Sequence, residues 1–339
     1  MAPANPAAAV SVIVTVRDEA ATIERLLGSL AIQSRPADEI VVVDGGSSDG
    51  TVAILRRREA RGDLPLHVIE RPGANISAGR NAALAAARGP IVAATDAGVR
   101  LDAGWLARLV APLAGGQRFA AGFFASDPTS AFETALGATT LPEVSEVDPR
   151  RFLPSSRSVA FRRDDALSVG GYPEWLDYCE DLVFDLRLAA LAGEPTFVAD
   201  AVARFRPRPD LSAFVRQYYR YARGDGKADL WRARHAVRYA TYLALAPALA
   251  GLAARHHPVW SLALFGGLAA MVRAPYRRLV RQWAPLGTRE RLAALAWVPV
   301  VRVAGDLAKM AGYPAGVAWR MRCRPPDWRP LGRPNAGRW

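Results

Sequence analysis

The sequence predicts an α/β protein: a mostly parallel sheet with helices on both faces, followed by a helical, membrane-associated C-terminal region. Three observations carry this. Short β-branched apolar runs alternate with helical apolar spacing through residues 11–113. Carboxylates stand just past three of the four predicted strand ends. The charge divides sharply, with 19 basic and 26 acidic residues in 1–200 against 25 and 6 in 201–339.

The elements follow in order. Ser11–Val16 reads as a buried strand, and Asp18 as the cap of a helix carrying Ile23, Leu26, Leu27 and Leu30. Glu39–Val43 is a second strand, with Ser48 or Asp49 capping a helix through Val52 and Leu55. Leu66–Ile69 is a third strand, leading to a helix over Ser77–Ala87. Pro90–Thr95 is a fourth, and Asp102 caps a helix whose Leu106, Leu109, Val110 and Leu113 share one face with a core Trp105. Glu180 and Asp181 open a later helix. Acids there suit the positive end of the helix dipole whatever else they do. Cys179 reads as a small core residue, and Trp175, in a turn-rich stretch, is a candidate sugar-stacking group.

Composition excludes several classes. At 51% apolar and 22% charged, the 339 residues are not disordered. Two distant cysteines make no disulfide framework, and four histidines make no His-rich metal cage. Residues 1–9 have no basic segment and Val12–Val16 is too short for a signal core, so the front half is expected on the cytoplasmic side. A nucleic-acid-binding tail would need accessible cations, whereas here the basic residues are interleaved with apolar runs, so no nucleic-acid partner is expected.

Sheets of this kind bind ligands beyond the carboxyl ends of their strands. That places Thr15–Glu19, Asp44–Gly50, Arg71–Asn81 and Thr95–Gly98 at one rim. Asp44 would repel a phosphate but can accept hydrogen bonds from a base or ribose. Gly46-Ser-Ser-Asp-Gly50 also matches the G-x-S-x-G nucleophile elbow, so a serine hydrolase acting through Ser48 stands as an alternative.

The ordered set of Val12-Ile-Val-Thr-Val-Arg-Asp-Glu19, Val41-Val-Val-Asp-Gly-Gly-Ser-Ser-Asp-Gly-Thr51, Asn75-Ile-Ser-Ala-Gly-Arg-Asn81 and Ala94-Thr-Asp-Ala-Gly98 resembles a family 2 glycosyltransferase of the GT-A fold. Glu180-Asp181 and Gln217-Tyr-Tyr-Arg-Tyr221 extend the resemblance to about residue 225. It implies an inverting transfer of a sugar from a nucleotide-diphosphate donor to a hydroxyl, with Asp181 as general base and Glu180 as its neighbour. Thr15, Glu19, Asp44, Arg80 and Asp96 would line the donor site, joined by Gln217, Arg220 and Tyr221. Phe214, Tyr218 and Tyr221 also fit simple packing of an amphipathic helix.

By the same resemblance Asp96 begins the D-x-D motif that holds Mg²⁺ or Mn²⁺ against the diphosphate. The motif reads Asp96-Ala97-Gly98, so its second acid is missing. A nucleotide-sugar-binding protein without turnover is therefore a further alternative. Thr15 replaces the family's usual Pro, Asp18 its Asn, and Gly45 the second acid of the base-binding turn.

The expected domains are a catalytic domain over 1–225 and a basic, apolar helical region over 226–339. Uncharged runs of 16, 15 and 10 residues cover Tyr239–Ala254, Pro258–Val272 and Leu292–Val301. A hairpin over 236–272 would turn at Arg255–Pro258, with arginines at both feet held on the cytoplasmic side. Short helices lying in the membrane surface are the alternative. Asp306–Gly316 resembles a tail of membrane-associated family members, and Arg320–Trp339 reads as irregular. The expected setting is the cell membrane, with membrane lipids as partners and a glycan or lipid-linked acceptor.

Overall fold

The computed structural model describes residues 8–326. The chain forms two compact units, each taken by itself below. Among the described residues, the first holds those up to Ala125 together with Val144–Phe205; the second holds Ser126–Glu143 and 206–326.

The first unit opens as predicted. Strand β1 (Val10–Val16), helix α1 (Ile23–Ala31), β2 (Glu39–Asp44), α2 (Thr51–Arg61), β3 (Leu66–Glu70), α3 (Ile76–Ala86) and β4 (Ile91–Asp96) alternate. β5 (Val99–Leu101), α4 (Trp105–Ala114) and β6 (Phe119–Ser126) follow. The chain passes through α5 (Ala131–Thr140) of the second unit and returns as β7 (Val159–Arg162), α6 (Arg163–Ser168), α7 (Glu180–Ala192) and β8 (Thr196–Phe205).

The sheet runs β3-β2-β1-β4-β7-β6-β8-β5. β3, β2, β1 and β4 are mutually parallel, while β7 joins β4, β6 joins β7 and β5 joins β8 antiparallel. In-register pairing puts Thr15 beside both Val43 and Asp96, so the carboxyl ends of β1, β2 and β4 lie side by side. Both faces of β1 are buried: Val12 and Val14 enter one core with Leu26, Trp105 and Leu109, and Ile13 enters another with Val43, Leu84 and Phe184. This explains its unbroken apolar run.

Three predicted caps do otherwise. Thr22, not Asp18, precedes α1, and Asp18 adopts φ 55° in the loop before it. Gly50 precedes α2 at φ +93°, while Asp49 accepts bonds from Thr51 and Ala20. Gly104 precedes α4, and the Asp102 carboxylate instead takes both arms of Arg204. Asp18 and Asp102 are thus taken by a loop and an ion partner, whereas Asp49, one residue before the cap position, still accepts from the first amide of α2, Thr51 N, at 3.1 Å. Asn75, by contrast, caps α3 by accepting from Ala78 N at 2.9 Å.

The second unit is helical. It adds α8 (Leu211–Lys227), α9 (Arg232–Ala240), a π-helical turn over Thr241–Leu245, α10 (Ala246–Arg255), α11 (Trp260–Gln282) and α12 (Thr288–Cys323) to α5. α12 carries the predicted irregular tail onward as helix to Cys323, and residues 327–339 lie outside the described residues. The run Asp306–Gly316 gains a physical role here. A Cβ on Gly312 would stand 2.1 Å from Tyr219 O, and one on Gly316 2.1 Å from Arg223 O. Glycine lets the backbones of α8 and α12 touch there. Among the described residues, Arg232–Arg255 is the helical stretch long and apolar enough to cross a membrane; an 18-residue window within it has a mean hydropathy of 1.2 and is unburied.

Gly312→Leu is expected to melt the second unit's packing, with loss of cooperative thermal unfolding by circular dichroism. Gly266→Leu, at a position with nothing within 4 Å of its built Cβ, is expected to stay within about 0.5 kcal/mol of the parent.

Candidate active site

The loops after β1 and β2 are stitched together. Asp18 Oδ1 accepts from Ser48 N at 2.8 Å and Ser48 Oγ at 3.2 Å, and Asp18 N donates to Ser47 Oγ. Glu19 N donates to Thr51 Oγ1. The Ser48 hydroxyl thus donates to Asp18, and the Ser–His pairing that the elbow's triad requires is not seen among the described residues. Asp44 is 1% exposed, and its carboxylate accepts from Gly46 N, Ser47 N and Ser47 Oγ. It shapes its own turn from within. Thr15 supports α3, since a Cβ on Gly79 would stand 2.9 Å from Thr15 Cγ2.

Segment 75–81 is a bracket for the chain before α7. Asn75 Nδ2 donates to Glu174 O, Ser77 Oγ to Leu176 O, and Asn81 Nδ2 to Tyr172 O, while Asn81 Oδ1 accepts from Tyr172 N. Gly171 takes φ +65°, and a side chain there would meet Asn81 Oδ1 at 2.5 Å. The bracket aims the start of α7 back at β4. Cys179, just before the acidic pair, is half-buried at φ 65° and not the core residue expected.

Arg80 closes the bracket. Its guanidinium is buried, with Nη1 2.5 Å from Glu180 Oε1 and Nη2 2.8 Å from Asp96 Oδ1. The ring of Tyr172 lies 5.2 Å from its central carbon. Burial opposes the charge, but Asp96 and then Glu180 outweigh it and hold Arg80 ionised above its ordinary value. Glu180 responds the other way. Burial first, then the neighbouring Asp181, push its carboxyl up to about 7 against the pull of Arg80.

Two further carboxylates complete the cluster. Asp181 is half-buried, with Oδ2 3.4 Å from Ser155 Oγ and Oδ1 accepting from Leu182 N. Asp185, one turn on, is fully buried and neither oxygen has a hydrogen-bond partner. Burial, then Asp181, raise its pKa well above the carboxylate range. Sequence reasoning missed Asp185, Tyr172 and Arg157. Arg157 Nε lies 3.6 Å from Asp96 Oδ2, and its Nη1 donates to Ser155 Oγ at 3.1 Å. None carries a motif; only tertiary packing identifies them.

The rim thus joins Asp96, Arg80, Glu180 and Asp181, with Glu19 beside Gly98, whose built Cβ would stand 3.9 Å from Glu19 Oε2. Gln217, Arg220 and Tyr221 lie on α8 in the second unit, where Gln217 Nε2 donates to Tyr221 OH at 2.8 Å.

A divalent cation is implied by the fold class, and the donor set fits one poorly. Oδ1 of Asp96 is taken by Arg80 and Oδ2 faces Arg157. Residues 97 and 98 bring no side-chain oxygen. Among the described residues no three His, Cys, Asp or Glu side chains group as metal ligands. One carboxylate leaves most of a hard cation's six or more oxygen ligands to come from elsewhere.

The fold and site define a GT-A-like glycosyltransferase. Residues 11–158 match the family described as Glycosyl transferase family 2. The chain is 30% identical over 256 residues to the succinoglycan biosynthesis protein ExoA of Rhizobium meliloti, covering 70% of this chain and 75% of that one. It is 28% identical over 228 residues to the glycosyltransferase AglE of Haloferax volcanii, covering 66% and 74%. The solved mannosyltransferase PcManGT from Pyrobaculum calidifontis, in complex with GDP-Man and Mn²⁺, shares the fold at TM-score 0.53 and 20% identity, over 95% of this chain and 89% of that one. The chain belongs to glycosyltransferase family 2.

Two outcomes test the cluster. Arg80→Met leaves Glu180 buried without its cation and is expected to cost about 3–5 kcal/mol in urea unfolding. Glu180 binds a proton more tightly folded than unfolded, so its contribution to stability falls as pH rises from 4.5 to 7. Glu180→Gln removes that slope: its Tm relative to the parent is expected to be higher at pH 7.5 than at pH 5, by differential scanning fluorimetry.

Proposed function

We propose that this glycosyltransferase moves a sugar from a nucleotide-diphosphate donor to a hydroxyl acceptor with inversion. One observation carries the reading: Arg80 draws Asp96 of β4 and the Glu180–Asp181 pair of α7 together at the carboxyl edge of the sheet. The nucleotide-sugar donor is supported by the GDP-Man of the similar mannosyltransferase.

Asp181 is the base in this reading. Its carboxylate is partly exposed, whereas Glu180 is 5% exposed and committed to Arg80. The acceptor hydroxyl attacks the anomeric carbon and its proton passes to Asp181. The bond from that carbon to the diphosphate oxygen breaks, and the electron pair leaves with the nucleoside diphosphate. Glu180 and Arg80 act through Asp181 and Asp96 by holding them in place.

The acceptor we infer is a glycan or lipid-linked saccharide at the cytoplasmic membrane face. Supporting it are the similarity to a succinoglycan biosynthesis protein, the apolar, largely unburied stretch Arg232–Arg255, and exposed Leu243 in the π-helical turn with Leu262, Phe265 and Leu268 on α11. We also propose a functional division into a catalytic part over 1–225 and a membrane-associated part over 226–339, which differs from the two compact units in that α5 and α8 fold with the second unit.

The test is nucleoside-diphosphate release from a panel of nucleotide-sugars in vesicles bearing lipid-linked acceptor. Asp181→Asn is expected to lower turnover by about 10²–10⁴ while donor affinity by calorimetry stays within a few-fold. Unchanged turnover in that variant overturns the base assignment.

A further inference from the structure

We propose that Arg157 is the cation by which this chain meets the diphosphate of its donor; the inference rests on the donor reading above. Three independent features converge on it.

The first is place. Asp96 ends β4 at the ligand-binding edge, and Arg157 Nε lies 3.6 Å from its Oδ2. On the other side Arg157 Nη1 donates to Ser155 Oγ, which lies 3.4 Å from Asp181 Oδ2. The guanidinium therefore sits between the strand end where the donor belongs and the carboxylate that receives the acceptor's proton. A leaving diphosphate must occupy that interval.

The second is presentation. The Arg157 side chain is 23% exposed, against 4% for Arg80. Arg80 is spent on Asp96 and Glu180 and cannot turn outward without leaving Glu180 buried and unpaired. Arg157 lies over the Phe205 ring at 4.6 Å and near Phe124 at 6.0 Å. These rings and Ser155 fix the plane of the fork, so a phosphate meets donors already oriented.

The third is charge. Glu19, Asp96 and Asp181 would together repel a diphosphate, and Gly98 withholds the acid that would help fix a neutralising cation. Charge on the departing diphosphate grows as the sugar bond breaks. A guanidinium that is part of the chain answers that charge whether or not an ion is bound.

The experiment titrates UDP, GDP, uridine and guanosine into the detergent-purified full chain by calorimetry, in Mn²⁺ and in EDTA. It compares the parent with Arg157→Ala and Arg157→Lys. The readout is the ratio of diphosphate to nucleoside affinity, which a misfolded variant cannot mimic because it loses both. For Arg157→Ala the ratio is expected to fall at least tenfold in both buffers, with partial recovery in Arg157→Lys. An unchanged ratio overturns the inference and leaves the donor reading standing. A fall confined to Mn²⁺ also overturns it, since Arg157 would then act only through a metal. If the parent binds neither UDP nor GDP, the donor reading fails and takes this inference with it.

Discussion

A buried guanidinium cannot be left alone. Removing an ionised group from water costs several kcal/mol even after the protein relaxes, and only close carboxylates offset it. Arg80 meets that demand with partners of very different sequence distance: Asp96 is 16 residues away and Glu180 is 100. The requirement therefore ties α3, the end of β4 and the start of α7 to one point. The bracket from Asn75 to Asn81 serves the same end, since its amides and hydroxyl hold residues 172–176 through backbone atoms. Gly79 lets α3 sit against Thr15 closely enough for Arg80 to reach. The partly exposed Asp181 inherits its position from this arrangement, being next in chain to Glu180.

The first four strands and helices were legible because their signal is local. A β-branched run of five or six residues and a 3.6-residue apolar period need no distant partner to be recognised. The positions of several expected site residues along the strand ends were legible, and the contacts of their side chains much less so. Asp44, Arg80 and Asp96 stand at the rim as expected, yet Asp44 and Arg80 direct their polar atoms inward, to their own loop and to Glu180. Whether a carboxylate faces a ligand or its own backbone depends on loop conformation that composition does not encode. The caps expected of Asp18 and Asp102 failed for a related reason: Ser48 and Arg204 competed for those side chains from far along the chain. Arg157 had no signature at all among the arginines.

The second unit shows how so basic a segment holds together. Its acids are few, and they bind helices to one another or close helix ends. Asp306 takes Arg238 of α9 and Arg302 of its own helix, and also accepts from Tyr242 in the π-helical turn. Asp229 pairs with Arg232 and Arg320, and Asp225 with His235, which stacks on Tyr313 at 3.9 Å. Asp210 and Glu290 bond backbone amides at helix starts. With the acids placed this way, the excess of basic over acidic residues in 206–326 falls on a unit that also exposes Leu262, Phe265 and Leu268. The π-helical turn falls between the polar, ion-paired α9 and α10, in which no residue is buried.

The departure at Gly98 can be understood from the same charges. An acid there would place a carboxyl near Glu19, whose Oε2 would be 3.9 Å from the new Cβ. Like charges brought close at a partly buried rim repel, and more strongly than in bulk water. Where a bound cation compensates, that repulsion is useful, because it is relieved only on binding. Here Asp96 already has guanidinium groups on both oxygens, so a second acid would add repulsion without a fixed partner to relieve it. Gly98 and the arginines around Asp96 are consistent parts of one solution, in which the rim draws its positive charge from the chain itself.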